Sequence, residues 1–178
     1  MIILGVDPGT IVTGVGIVKQ YKNSLSYVVQ GSIKLPSCKT LPLKLEMIYE
    51  EIDRYIKLYK PDEFAIETAF YGKNVQSALK IGYARGVAML AAVHNGLPVN
   101  EYSPREVKKS VVGNGAASKK QVQYMVTHLL GISDEKMIFD ESDALAIAMC
   151  HAYRLKSLFP KTKSWKAFIE ANPDRIIQ

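Results

Sequence analysis

Four carboxylates stand where the chain changes character, and they are the residues best suited to chemistry. Asp7 ends the apolar run Ile2-Ile3-Leu4-Gly5-Val6, which reads as a buried strand carrying a carboxylate at its tip. Glu67 ends a second apolar run, Phe64-Ala65-Ile66, although glutamate is a poor strand former. Asp140 and Asp143 open a helical pattern at i,i+3 spacing, which places both on one helix face. Each has an ordinary structural reading. Asp7-Pro8-Gly9 is a common turn, Glu67 suits a sheet edge, and the two aspartates suit a helix cap and a first-turn acid. The combination favours a site, because clustered carboxylates raise one another's pKa and are costly without a cation. An oxygen-only donor set selects a hard ion, magnesium or manganese. Two such ions, roughly 4 Å apart, could activate a water and stabilise the leaving oxygen of a phosphodiester.

The elements that must position these acids follow from periodicity. Ile2–Asp7, Thr13–Val18 and Leu25–Val29 form a three-strand antiparallel meander with a turn at Lys22-Asn23-Ser24. Leu41, Leu45, Ile48, Ile52, Tyr55 and Tyr59 recur at helical spacing until Pro61, giving a crossover helix that makes the strand Phe64–Glu67 parallel to the first. Asp7 and Glu67 then meet at the carboxyl ends of neighbouring strands. A long helix from Asn74 to His94 carries Val75, Ala78, Leu79, Gly82, Gly86 and Leu90 on one stripe, and Gly96 marks its end. Leu97–Asn100 is a fifth strand, placed at an edge by Pro98. Ser103-Pro104-Arg105-Glu106 and Ser118-Lys119-Lys120-Gln121 are helix starts, closed near Gly113 and Gly131. A last helix runs from Asp140 to Leu155 with Ala144, Leu145, Ala148 and Met149 as its apolar stripe. The expected class is α/β: a mixed five-stranded sheet, three antiparallel strands then two parallel, flanked by helices on both faces.

At 178 residues the chain suits one domain, 1–155, with 156–178 as a separate C-terminal tail without an assigned role. The two cysteines, Cys38 and Cys150, match no metal-ligand spacing and no disulfide framework. No apolar run approaches the roughly 18 residues of a membrane span, and no basic leader precedes Asp7, so the expected compartment is the cytoplasm. Lysine and arginine outnumber aspartate and glutamate by 23 to 17, a net charge of +6 that suits a polyanionic partner. Lys108, Lys109, Lys119 and Lys120 flank the flexible Gly113-Asn114-Gly115, where they suit phosphate as well as solvent. Phe70 and Tyr71 follow Glu67 in a loop that ends at Lys73; either ring could stack on an exposed base or simply pack.

Read as a series, these residues resemble one family: RuvC, the Holliday-junction resolvases of the ribonuclease H-like superfamily. The resemblance spans Ile2 to about Tyr153. It rests on Gly5-Val6-Asp7-Pro8-Gly9-Thr10, Ala65-Ile66-Glu67, Lys73-Asn74-Val75-Gln76-Ser77-Ala78-Leu79-Lys80 and Ala84-Arg85-Gly86-Val87-Ala88. It continues through Val107-Lys108, Val111-Val112-Gly113, Gln121-Val122-Gln123 and Ser142-Asp143-Ala144-Leu145-Ala146-Ile147-Ala148. It implies a four-acid metal site of Asp7, Glu67, Asp140 and Asp143. It further implies a homodimer making paired nicks in four-way junction DNA, with the RuvA–RuvB branch-migration machinery as partner. Phe70 matches the family's base-contacting aromatic, and Lys108 and Lys119 its basic DNA-contacting positions. Lys119 has two open roles, stabilising the leaving group or binding phosphate. Tyr71, Lys73, Lys109 and Lys120 join the candidate substrate-binding set.

Two rivals are weaker. The Gly5–Thr10 motif also looks like the first phosphate loop of actin-like kinases and ATPases, but that fold needs two such lobes and the chain has no second Asp-x-Gly motif of that kind. A junction-binding protein without cleavage would not need four intact acids. A nearly two-fold substrate asks for a two-fold enzyme, and the recurring Ala78, Gly82 and Gly86 make the long helix the candidate interface.

Overall fold

Alternation along β1 (Ile2–Asp7) divides the molecule into its layers. Leu4 and Val6 enter one apolar cluster, while Ile3 enters another on the opposite side. The computed structural model describes residues 1–22, 24–68, 75–133 and 137–157. After β1 come β2 (Val12–Tyr21), β3 (Ser24–Lys34), α1 (Leu41–Tyr59), β4 (Glu63–Glu67) and α2 (Val75–His94). β5 (Val99–Tyr102), α3 (Pro104–Val112), α4 (Lys119–Leu130) and α5 (Phe139–Ser157) complete the described elements. The five strands lie in the order β3-β2-β1-β4-β5. β1 to β3 pair antiparallel, and β1, β4 and β5 pair parallel, as the meander and crossover helix predict.

The layer of α1 and α2 covers Leu4, Val6, Val15, Ile17, Phe64 and Ile66 with Ile48, Ile52, Ala84, Ala88 and Ala92. The layer of α3, α4 and α5 covers Ile3, Val18 and Ala65. Glycine separates the two in kind. A Cβ at Gly5 would collide with the Ala144 carbonyl, one at Gly14 with the Asp140 carbonyl, and one at Gly16 with the Leu145 amide. α5 therefore lies with its backbone against bare strand, closer than any side chain would permit.

Helix ends follow their local signals. Ser103 and Ser118 both form complete capping boxes, and Gly113 (φ 82°) and Gly131 (φ 65°) take the left-handed conformation at the C-caps. Three expectations shift. The Val75, Leu79, Gly82, Gly86 and Leu90 stripe of α2 faces away from the sheet, and the buried side is Ala84, Ala88, Ala91 and Ala92. Alanine and glycine offer little hydropathy contrast, so periodicity marks a stripe without saying which side is the core. β5 runs two residues later than predicted, because pairing from Phe64↔Val99 to Glu67↔Tyr102 sets its register. It is the edge strand that Pro98 indicates, and Pro98 itself accepts the Phe64 amide at 3.1 Å from just outside it. α5 begins at Phe139 and is buried all round from Ala144 to Ala152, so its four-residue stripe is only part of its contact surface.

Candidate active site

β1 and β4 deliver Asp7 and Glu67 side by side. Their parallel register pairs Val6 with Ile66, and the next residue on each strand is the acid. Alternation turns both toward α5, the same side as Gly5 and Ala65. The turn after Asp7 is clipped by Thr13, a fully buried hydroxyl that accepts the Gly9 amide at 3.2 Å and donates to the Gly9 carbonyl at 2.9 Å. From the other side, α5 sits on the glycine track and presents Asp140 and Asp143 from its first turns. The capping box at Ser118 fixes the start of α4, so that Lys119 donates to Asp143 at 2.7 Å.

These pieces enclose a small pocket of about 180 Å³ lined by Asp7, Glu67, Asp143, Lys108, Lys119 and the apolar walls Pro104, Val107 and Val122. Asp140 lies outside it. One helical turn separates it from Asp143, a rise of about 4.5 Å, and it lines a neighbouring groove instead. Asp7, Glu67 and Asp143 thus line one pocket, and Asp140 sits at its edge, where its charge still acts on Asp7 and Lys119. Lys109 lines a third hollow with Arg105 and Gly113-Asn114-Gly115, while Lys120 is exposed at the start of α4. Phe70, Tyr71 and Lys73 fall outside the described residues. Sequence reasoning passed over Thr13, Gly14 and Gly16. A hydroxyl four residues after Gly9 and two glycines on one strand face are the signals that mark them.

Burial pushes Asp7 up to about 8, with Glu67, Asp143 and Asp140 adding repulsion and Lys119 opposing it. Burial likewise lifts Glu67 to about 7, helped by Asp143 and opposed by Lys119, a hydrogen bond from Asp7, and Lys108. For Lys119, burial pulls the pKa down, but the bond to Asp143 and the charges of Asp143, Asp7 and Asp140 outweigh it and leave it raised. The pocket is therefore short of positive charge even with a lysine in it. Its donors are all oxygen, which fits a hard divalent ion. Among the described residues no three acids, histidines or cysteines already stand as a closed ligand set. Closing one requires the acids to draw together and Asp143 to share itself between Lys119 and the ion.

A family model described as Crossover junction endodeoxyribonuclease RuvC matches residues 3–151. The chain belongs to the RuvC family. A RuvC crossover junction endodeoxyribonuclease of Chloroherpeton thalassium is 44% identical, with 100% of both chains covered. The RuvC of Histophilus somni is 53% identical over 85% of this chain and 79% of its own. Among solved structures, Thermus thermophilus RuvC in complex with Holliday junction substrate superposes with a TM-score of 0.82 at 29% identity, covering 88% of this chain and 95% of that one. The fowlpox virus resolvase, at 13% identity and a TM-score of 0.55, shares the fold. RuvC membership places the sheet and its helices in the ribonuclease H-like fold.

Proposed function

We propose that this RuvC chain resolves four-way DNA junctions by hydrolysing one phosphodiester at the pocket of Asp7, Glu67 and Asp143, with Asp140 at its edge. It is a metal-dependent endonuclease, and the carrying observation is the pair of half-buried carboxylates on adjacent strand tips, both held well above their ordinary pKa. Two magnesium ions, replaceable by manganese, are the reading that this charge deficit supports, with the four acids as ligands. Bound metal supplies Lewis acidity and an activated water to the displacement. The residues do the rest. Pro104, Val107 and Val122 wall the pocket, Asp143 holds Lys119 beside the reacting phosphate, and Lys108 adds a second cation. Lys119 has a 56% exposed side chain, so it can follow a phosphate oxygen as charge develops.

Paired nicks follow from a homodimer through the outer face of α2. In support, a side chain at Gly82 or Gly86 would meet nothing, and Val75, Leu79, Leu90 and Val93 are 69%, 53%, 47% and 59% exposed along the same stripe. RuvA–RuvB is the partner that the family reading suggests, and the cytoplasm the compartment. No described helix is long and apolar enough to cross a membrane. The nuclease domain in this reading is 1–155, with 156–178 as a tail.

Glu67→Gln tests the assignment. Magnesium-dependent nicking of a synthetic four-way junction is expected to fall at least about 100-fold, since even residues supporting a metal ligand cost up to that much. Junction binding is retained, because the amide makes the pocket less negative. A variant that cuts at the wild-type rate removes Glu67 from the metal set.

A further inference from the structure

Beyond Asp140 the molecule opens into a groove of about 740 Å³, against about 180 Å³ for the pocket of the other acids. Three structural pieces that are distant in sequence form it. They are the turn Gly9–Val12, the start of α1 with Lys39 just before it and Lys44 in its first turn, and the first turns of α2 with Lys80 and Ile81. Lys44 donates to the Thr10 carbonyl at 3.4 Å and so ties α1 to the turn. Three lysines face one acid here, whereas three acids face two lysines in the small pocket. Leu41, the first residue of α1, also lines the groove, and Thr40 makes no side-chain cap, so the helix end adds partial positive charge. Ile11, 77% exposed, and Ile81 add aliphatic carbon to the lining. A trough lined by both cations and aliphatic carbon fits a single nucleic-acid strand, phosphates toward the lysines and sugars toward the isoleucines.

We propose that this groove seats the cleaved DNA strand on one side of the scissile phosphate, with Lys39, Lys44 and Lys80 as its phosphate contacts, while Lys108 and Lys119 hold the other side. Asp140 and Asp143, one turn apart on α5, form the divide between the two compartments. The strand thus crosses the first turn of α5 and leaves the reacting phosphate in the small pocket. This rests on the junction-cleaving reading above and adds the path and sidedness of the strand.

The test is junction binding by the double variant Lys39→Gln/Lys80→Gln as a function of salt. Both side chains are exposed, so the fold is retained, and a thermal melt checks it. The slope of log K against log salt is expected to be shallower than wild type by about 2, one for each phosphate that the variant leaves without its lysine. On junctions with uncharged methylphosphonate linkages next to the cleavage site, that difference vanishes when they lie on one side and persists when they lie on the other. Lys108→Gln shows the reverse dependence. An unchanged slope on the unmodified junction overturns the proposal, as does a difference that survives, or disappears, with neutral linkages on either side alike. Magnesium-dependent nicking by the wild-type chain is the control. If that fails, the junction-cleaving reading falls; if it succeeds while the sidedness fails, only the groove assignment does.

Discussion

The two faces of the sheet are built on opposite rules. Toward α1 and α2, β1, β2 and β4 present large aliphatic and aromatic side chains, and the helices answer with isoleucine and alanine. Toward α5, β1 and β2 present Gly5, Gly14 and Gly16, and the helix backbone itself fills the space. The first face accumulates burial, roughly 25 cal/mol for each Å² of apolar surface. The second gives up side-chain burial for proximity, and proximity is what carries Asp140 and Asp143 to Asp7. Both faces hold the fold, and the second also sets the distance between acids.

The largest effect separates the two faces directly. Gly5→Val places carbon against the α5 backbone, so the helix must shift and the acids with it. Ile17→Ala opens a cavity on the opposite face at a cost of about 2–5 kcal/mol. Both proteins are less stable by urea titration, but at a temperature where both are folded only Gly5→Val is expected to lose magnesium-dependent cutting. If Ile17→Ala loses cutting equally, the division of labour between the faces is wrong.

A smaller effect concerns charge on the α5 face. Between its ordinary 3.8 and about 8, Asp7 keeps a proton in the folded chain that the unfolded chain releases. Stability from that proton is complete below the lower value and lost as pH rises through the upper, so the metal-free protein weakens from mildly acidic to mildly basic pH. Glu67 acts in the same sense between 4.5 and about 7. Asp7→Asn is expected to flatten the decline and stabilise the metal-free protein at pH 8 by about 1–3 kcal/mol. Magnesium then raises the Tm of wild type and not of the variant. Melts at pH 5 and pH 8, with and without metal, read both. A variant that declines as steeply as wild type shows that Asp7 does not hold the proton.

The smallest change in the fold is expected at the outer surface of the second layer. Gly82→Arg meets no neighbour in the single chain, and arginine favours helix over glycine by about 1 kcal/mol. The folded chain is retained, but sedimentation is expected to show a monomer with uncoordinated nicks. A dimer that persists moves the interface off α2.

Much of the fold was legible because local chemistry and tertiary structure agree. Leu41–Tyr59 has both ends written in the sequence, Pro42 at the start and Pro61 beyond Lys60, and the two capping boxes sit at Ser103 and Ser118 as their spacing predicts. β5 was legible as an edge but misplaced by two residues, since its register comes from β4. The sidedness of α2 was not legible, because Ala84 and Gly86 look alike to a hydropathy pattern and differ only in what they touch. At the site, each acid announced itself by ending or opening an element. Their division into two compartments did not, and neither did the meeting of Lys39, Lys44 and Lys80, which no sequence spacing connects.

The seat of α5 on the first hairpin also sets a timetable. Asp7 leaves the ribosome well before the helix that faces it, which begins at Phe139, so contacts between Gly5–Gly16 and Asp140–Ala148 join segments far apart in sequence. Chains fold during synthesis at roughly 5–20 residues per second, and such long-range contacts form last. A nascent chain that lacks α5 holds two of the four acids and an uncovered glycine surface. The four acids of a DNA-cutting site therefore come together only once α5 has been made.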